Sequence, residues 1–390
     1  MKIGILCSHF GFGGGTERYA RDVVAALSEW RRQQQPEQPP RMPFHSTGDM
    51  DYWLIAARDD RLPHTPESTL WVFAERFDPD TPEYGVVHPV ELGHRWLPRK
   101  LRGWAHTLLL ARMRREMGLV LTISIKATVA ADVAICGFTL KGEARARRLR
   151  RGWVSRWRTR LEKQGYENSR RIIAHSQAIA NELITLYGLP ADKITVAYPP
   201  VDQRVFCLTS NQARAALRTK FGMPENQAIF LFPSTGHDRK GLKTLIRLFG
   251  QMDLPVVLLI VGNAAPAKLP PNVRYAGYQR DMAALYQACD FTIMNSAYEP
   301  FGLVGVESVL CGTPVLMSTV TGCTEVLSEE ACSTFEHDDD GDIRLAVERA
   351  TTRFLAGTAR LQAPLAHVQY ACSFDGHLRA LLALTEESAP

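Results

Sequence analysis

Short apolar runs alternate with helical periodicities along most of the chain. Ile3 to Cys7 reads as a buried strand, and the glycine-rich turn Gly11 to Gly15 follows it. Ala20, Val23, Val24 and Leu27 then recur at i, i+3, i+4 and i+7, the apolar stripe of a helix. Tyr52 to Ala57, Leu70 to Ala74, Leu119 to Ile123 and Arg171 to Ala174 predict further strands. Ser176 caps a helix bearing Ile179, Leu183 and Leu186, and Ile194 to Ala197 closes the first half. The second half repeats the scheme. Strands are predicted at Ile229 to Pro233, Val256 to Val261, Val273 to Tyr278, Phe291 to Met294 and Pro314 to Met317. Between them lie helices carrying Leu242, Leu245, Ile246 and Phe249, then Met282, Leu285, Tyr286 and Cys289. A last helix is expected from Tyr370 to Leu384.

This alternation predicts two doubly wound parallel α/β domains. Tyr198-Pro199-Pro200-Val201-Asp202 is an extended linker, because its prolines exclude helix. The expected division is 1–199, 200–368 and a terminal helical segment, 369–390. Gln33 to Pro43, rich in Gln and Pro, is expected as a surface loop.

The most informative stretch follows the apolar run Phe291 to Met294. Asn295 to Glu299 make a polar turn, Pro300 suits the first position of a helix, Phe301 to Leu310 continue it, and Gly312 stops it. A helix entered this way presents unpaired N–H groups to an anion such as a diphosphate. Glu299 precedes that helix and Glu307 lies about two turns in, roughly 9 Å from Phe301 at ~1.5 Å per residue. Two carboxylates flanking an anion site match the layout of a nucleotide sugar: sugar, diphosphate, ribose.

Glu299 and Glu307, separated by seven residues, resemble the E-x7-E motif of retaining glycosyltransferases with the GT-B fold. The surrounding Glu299-Pro300-Phe301-Gly302-Leu303-Val304 and Gly312-Thr313-Pro314-Val315 resemble family 4 of that class, which includes bacterial lipopolysaccharide-core and cell-envelope hexosyltransferases. The resemblance implies that Glu299 contacts the donor sugar, Glu307 the ribose, and the backbone of Phe301, Gly302, Leu303 and Val304 the phosphates. It implies a GT-B architecture, two Rossmann-like domains facing across a cleft, with the last helix crossing back to the first domain.

Further segments extend the likeness. Gly14-Gly15-Thr16-Glu17-Arg18 resembles the family's G-G-x-E-R segment, where backbone near Gly14 and Gly15 meets the donor phosphate or the acceptor. The same stretch fails the dinucleotide fingerprint, because Thr16 stands where the last glycine belongs, which argues against a nicotinamide dehydrogenase. In Ser234 to Gly241, Lys240 matches the lysine that holds the donor diphosphate. Many members place the partner arginine where this chain has Ser234; Arg239 takes that role here, and Ser234 remains an expected donor contact. Tyr278 and Gln279 are expected beside the nucleotide base. Thr321-Gly322-Cys323-Thr324-Glu325 resembles the family's G-G-x-x-E turn. Around Cys136 to Gly142, Leu140 stands where the family often has a histidine facing the donor sugar, leaving His9, His88, His94 and His106 as candidates by default. Arg239, Lys240 and Glu299 form the expected catalytic set. The expected donor is a nucleotide diphosphate sugar, UDP-linked in preference to GDP-linked, with no cofactor. No protein general base is evident; in this family the leaving phosphate takes the acceptor proton. Rival readings are a GT-B phosphorylase, a sugar-nucleotide epimerase, or a non-catalytic sugar-nucleotide-binding membrane protein.

Charge refines the picture. Residues 1–200 hold 30 Lys and Arg against 21 Asp and Glu, whereas the remainder holds 16 against 20. The excess concentrates between Arg95 and Lys163, interleaved with Trp96, Trp104, Trp153 and Trp157. That combination suits an anionic bilayer or a phosphorylated or lipid-linked glycan acceptor, and no nucleic-acid module accompanies it. Asp78-Pro79-Asp80 spells D-x-D but sits among prolines and reads as a turn, so no metal is expected. None of the eight cysteines forms a C-x-x-C pair, and they read as reduced, buried thiols. Met1-Lys2 leads straight into a strand and no run approaches ~20 apolar residues, so the expectation is a cytoplasmic protein, free or peripheral on the inner face of the membrane.

Overall fold

The computed structural model describes residues 2–11, 15–34, 70–92, 99–150, 152–266 and 268–386. The predicted strand Tyr52 to Ala57, most of the Gln33 to Pro43 loop, Gly14, His94 and Trp96 lie outside them. The chain divides into two compact units, one of residues 1–144, 150–199 and 374–390, the other of 145–149 and 200–373.

The first unit contains β1 (Ile3–Leu6), α1 (Gly15–Gln34), β2 (Leu70–Ala74), β3 (His88–Glu91), α2 (Arg99–Met117), β4 (Leu121–Ser124), β5 (Val133–Cys136), α3 (Leu140–Ala146), α4 (Trp153–Asn168), β6 (Arg171–Ala174), α5 (Gln177–Thr185) and β7 (Ile194–Val196). Its seven strands order β3-β2-β1-β4-β5-β6-β7, with every ladder parallel. The second unit contains α6 (Asn211–Lys220), β8 (Ala228–Ser234), α7 (Leu242–Phe249), β9 (Val256–Gly262), β10 (Val273–Tyr275), α8 (Met282–Ala288), β11 (Phe291–Met294), α9 (Leu303–Leu310), β12 (Val315–Ser318), β13 (Cys332–Phe335) and α10 (Asp340–Leu355). Its six parallel strands order β10-β9-β8-β11-β12-β13. The strands are continuous apolar runs because helices cover both faces of such sheets. In β8 all seven residues are buried.

The strand order reverses between β1 and β4 in one unit and between β8 and β11 in the other. Ligands of open α/β sheets bind at the carboxyl ends of the strands at such a switch point. In the second unit, the turns leaving β8 and β11 are therefore neighbours by topology. Asp290, at the start of β11, is 5 % exposed and holds Arg214 at 2.5 Å and Arg218 at 3.0 Å, pinning α6 beside the sheet. Removing one member of such a buried set costs roughly 3–5 kcal/mol.

Several boundaries differ from expectation. Helix α9 begins at Leu303, not Pro300. Glu299 bridges to Thr321, Gly322 N–H donates to Glu299 O at 2.9 Å, and Cys323 N–H donates to Phe301 O at 2.6 Å. These bonds hold residues 299–301 against 321–323, and Gly302, at φ +85°, then starts the helix from a left-handed conformation. Glu307 consequently lies about one turn into the helix, ~6 Å beyond Leu303. Strand β10 stops at Tyr275 instead of Tyr278. The expected terminal helix starts late: α11 (Phe374–Glu386) is preceded by non-helical chain whose Cys372 O accepts from Val201 N–H at 2.9 Å.

α11 belongs to the first unit and packs on α1. Leu378 and Leu381 join Ala20, Val23, Val24 and Leu27 in one core. Tyr19 O–H donates to His377 Nε2 at 2.7 Å, and His377 Nδ1–H donates to Tyr198 O at 3.0 Å. Cys207 is exposed, contrary to expectation; the other seven cysteines are buried free thiols. Among the described residues, no helix is long and apolar enough to cross a membrane.

Candidate functional site

The turns after β8 and β11 are fastened to each other. Ala297 N–H donates to Arg239 O at 2.9 Å. Gly241 makes the close approach possible: it sits at φ +72°, and a Cβ there would lie 2.2 Å from Asn295 O. Arg239 Nη1 donates to Tyr298 O at 2.7 Å and to Glu299 Oε2 at 2.8 Å. Glu299 is thereby oriented by a cation drawn from the neighbouring turn. An arginine has five donors in a fixed fork, so this pairing leaves the remaining edge of Arg239 for an anion.

Lys240 Nζ donates to Pro233 O at 3.1 Å. Burial pulls its pKa below the usual lysine range, and Arg239 adds to that pull, while Glu299 and Glu307 oppose it. Glu307 is 4 % exposed and accepts from Tyr286 O–H at 3.3 Å. Two cations and two carboxylates thus meet at the starts of α7 and α9, where helix dipoles also favour an anion. Beside them, Asn295 and Ser296 are fully buried. Asn295 Oδ1 accepts from His337 Nδ1–H at 2.8 Å, while Asn295 Nδ2 and Ser296 Oγ have no hydrogen-bond partner.

The other expected contacts distribute unevenly. Phe301 is buried and meets the Tyr370 ring edge-on at 6.1 Å, so only its backbone faces the turn. Gly302, Leu303 and Val304 form the helix start itself. Ser234 is buried, and its hydroxyl is engaged by Gly236 N–H at 3.1 Å and His237 Nδ1 at 3.0 Å. Tyr278 is 68 % exposed beyond the end of β10. Gln279 is turned back onto Ala276 O at 2.5 Å. Gly15 starts α1 in the other unit. Asp78 accepts from Asp80 N–H at 3.2 Å, the turn expected of that segment.

Three of the four default histidines have other partners, and His94 lies outside the described residues. His9 lies 3.6 Å from Glu17, His88 stacks on Trp71 at 4.4 Å, and buried His106 meets Lys126 Nζ at 3.2 Å. The sequence reading passed over His237, within the β8 turn, and the buried pair His175 and His377. On α4, Trp153, Arg156, Trp157 and Arg160 recur at i, i+3, i+4 and i+7 and are all exposed, Trp153 by 72 % and Trp157 by 40 %. This stripe is aromatic and basic, and the opposite side of the helix buries Thr159, Glu162 and Tyr166.

Comparison with known proteins agrees with this geometry. Residues 213–350 match the family model for glycosyl transferases group 1, and residues 68–205 match that for glycosyltransferase family 4. The chain is 34 % identical over 392 aligned positions to the probable transglycosylase of Burkholderia thailandensis, covering 100 % of this chain and 98 % of that protein. It is 27 % identical to the D-inositol 3-phosphate glycosyltransferase of Mycolicibacterium smegmatis, over 72 % of this chain and 62 % of that one. Among solved structures, WaaG, a glycosyltransferase involved in lipopolysaccharide biosynthesis, superposes with a TM-score of 0.74 at 14 % identity, covering 98 % of this chain and 99 % of that one. Anabaena HepE in complex with UDP and glucose superposes with a TM-score of 0.68 at 18 % identity, both chains being covered completely. The two parallel sheets, the joined turns after β8 and β11 and these matches lead to one conclusion: the chain belongs to the family 4 glycosyltransferases of the GT-B fold.

Proposed function

We propose that this glycosyltransferase moves a hexose from a UDP-sugar to a hydroxyl of an envelope glycan, with retention at the anomeric carbon and without a metal. The observation that carries the reading is the Arg239–Glu299 pair at the start of α9, with Lys240 and Glu307 beside it. In this reading the diphosphate lies against the Leu303 and Val304 amides, Arg239 and Lys240. Glu299 holds sugar hydroxyls and Glu307 the ribose. The bond from the anomeric carbon to the phosphate oxygen breaks while the acceptor oxygen bonds to the same face. The acceptor proton passes to the departing phosphate, whose growing charge the two cations stabilise. Because those cations are built into the turns, no divalent ion is assigned a role. Gly14 and Gly15 are assigned to the donor phosphate or acceptor, Ser234 to the diphosphate turn, and Tyr278 to the base. The acceptor is a lipid-linked or phosphorylated glycan, brought to the protein at the inner face of the cytoplasmic membrane; the aromatic and basic stripe of α4 supports this assignment.

A thermal-shift screen of nucleotide sugars tests the donor. A ligand at 100 times its dissociation constant adds roughly 2.7 kcal/mol of stability, and UDP-sugars are expected to give the largest shift. Turnover of the donor so found should persist in a chelator and give product with the donor's anomeric configuration. Inverted product, or strict dependence on manganese or magnesium, would overturn the mechanism.

A further inference from the structure

His237 lies within the turn that carries Arg239 and Lys240, and its ring is fully engaged. Nε2 lies 3.0 Å from Asn263 O and 3.2 Å from Ala264 O. Carbonyl oxygens only accept, so Nε2 carries hydrogen. Nδ1 lies 3.0 Å from Ser234 Oγ, which already accepts from Gly236 N–H at 3.1 Å. In the neutral ring, the Ser234 hydroxyl hydrogen therefore goes to Nδ1. The imidazole stitches the turn after β8 to the turn after β9. Asn263 strengthens the seam: its N–H donates to Ser234 O at 3.0 Å and its Nδ2 to Thr235 O at 2.7 Å. His237 also works through its backbone, since its carbonyl accepts from Leu242 N–H at 3.2 Å at the start of α7.

Beyond these bonds Thr235 and Gly236 have little packing to fix them, because Thr235 is exposed and the space where a side chain would stand on Gly236 is open. Arg239 and Lys240 follow two and three residues later. Their position relative to Glu299 is set by this seam together with the Ala297–Arg239 bond. Small displacements of such groups matter, because a misplacement of about 1 Å can cost ~10²-fold in rate.

We propose that His237 is a positioning residue of the donor site, clamping the 234–241 turn onto residues 263–264 so that Arg239 and Lys240 meet the diphosphate in register. The inference rests on the reading of that turn as the diphosphate turn. It also gives Ser234 an indirect role: its hydroxyl hydrogen is committed to the imidazole, so it acts on the ligand through His237.

Calorimetric titration of the full chain with UDP, and in parallel with GDP, tests this. His237→Ala should weaken nucleotide binding about tenfold, the scale of a hydrogen bond or two. His237→Gln, whose amide N–H can still reach the carbonyls of Asn263 and Ala264, should recover most of the loss. Ser234→Ala should weaken binding in the wild-type background and add nothing in the His237→Ala background; it also keeps the test available with His237→Gln if His237→Ala does not fold. Wild-type protein that binds neither nucleotide overturns the donor-site reading and this inference together. Wild-type binding with unchanged affinity in the variants overturns the role of His237 alone. So do equal losses in the Ala and Gln variants, or additive losses for Ser234 and His237, since a hydrogen-bonded clamp predicts neither.

Discussion

At position 240 an ammonium group is drawn from water between an arginine and two carboxylates. Desolvation and Arg239 disfavour its charge, whereas Glu299 and Glu307 favour it. A bound diphosphate would add negative charge on the favourable side. Lys240→Ala is accordingly expected to lower turnover by about 10²–10³, the usual loss for one charge-stabilising donor. Glu307→Ala should chiefly raise the donor KM, because a ribose contact is the same in ground and transition states. Wild-type turnover in either variant removes that residue from the site. The sequence singles out Glu299, Glu307, Arg239 and Lys240 because each belongs to a compact local pattern, and the structure brings Arg239 and Glu299 together. Tyr286 as the partner of Glu307, and His237 as the seam of the turn, were not legible. Their partners lie 21 residues away for Tyr286 and 26 and 27 for His237, and in the second case they are backbone carbonyls that leave no mark in a sequence.

Most of the element pattern was readable, since buried parallel strands need continuous apolar runs and their helices need a 3.6-residue period. At the start of α9 the error falls where tertiary pairing overrides a local rule. Pro300 suits a first helical turn, yet bonds to residues 322 and 323 hold 299–301 outside α9. Strand β5 was not read, although β6 and β11, also four residues long, were. The sequence marks Trp153 and Trp157 as part of a basic, tryptophan-bearing region, and the structure places them with Arg156 and Arg160 on one exposed face of α4. Each basic residue near an anionic bilayer contributes about 1 kcal/mol, screened within ~8 Å at physiological salt. Arg156→Gln with Arg160→Gln should therefore weaken vesicle binding by roughly 2 kcal/mol, about thirtyfold. Binding of the unaltered protein should rise with anionic lipid and fall with salt, and Trp153→Ala with Trp157→Ala should weaken it even on neutral vesicles. A soluble phosphorylated acceptor would use the arginines without the tryptophans. Protein that stays in the supernatant with anionic vesicles at low salt sinks the membrane assignment.

On the scale of the whole chain, the backbone leaves the first unit at Pro199 and returns to it at Phe374, so stability of that unit depends on docking its last helix. The dock is built around buried histidines. Burial lowers His377 to about 4, partly offset by the Tyr198 carbonyl, and burial together with His377 lowers His175 to about 3. Both are neutral when folded, whereas an unfolded histidine takes a proton below about 6.5. Stability from these groups is therefore complete above that value and drains away as pH falls towards their folded pKa values. By pH 5 each should have lost about 2 kcal/mol. Glu162, in the same unit, runs the other way: burial raises it to about 7, against hydrogen bonds from Tyr187 and Leu140 that favour the charge. It is a penalised carboxylate at neutral pH, and protonation by pH 5 should restore about 2 kcal/mol. Set against each other, two histidines and one glutamate leave a net loss of about 2 kcal/mol between pH 7 and 5. Urea unfolding followed at both pH values checks the balance. His377→Gln should nearly abolish the difference and Glu162→Gln should roughly double it. If neither substitution changes the pH dependence, the buried histidines and Glu162 do not govern the acid stability of this unit.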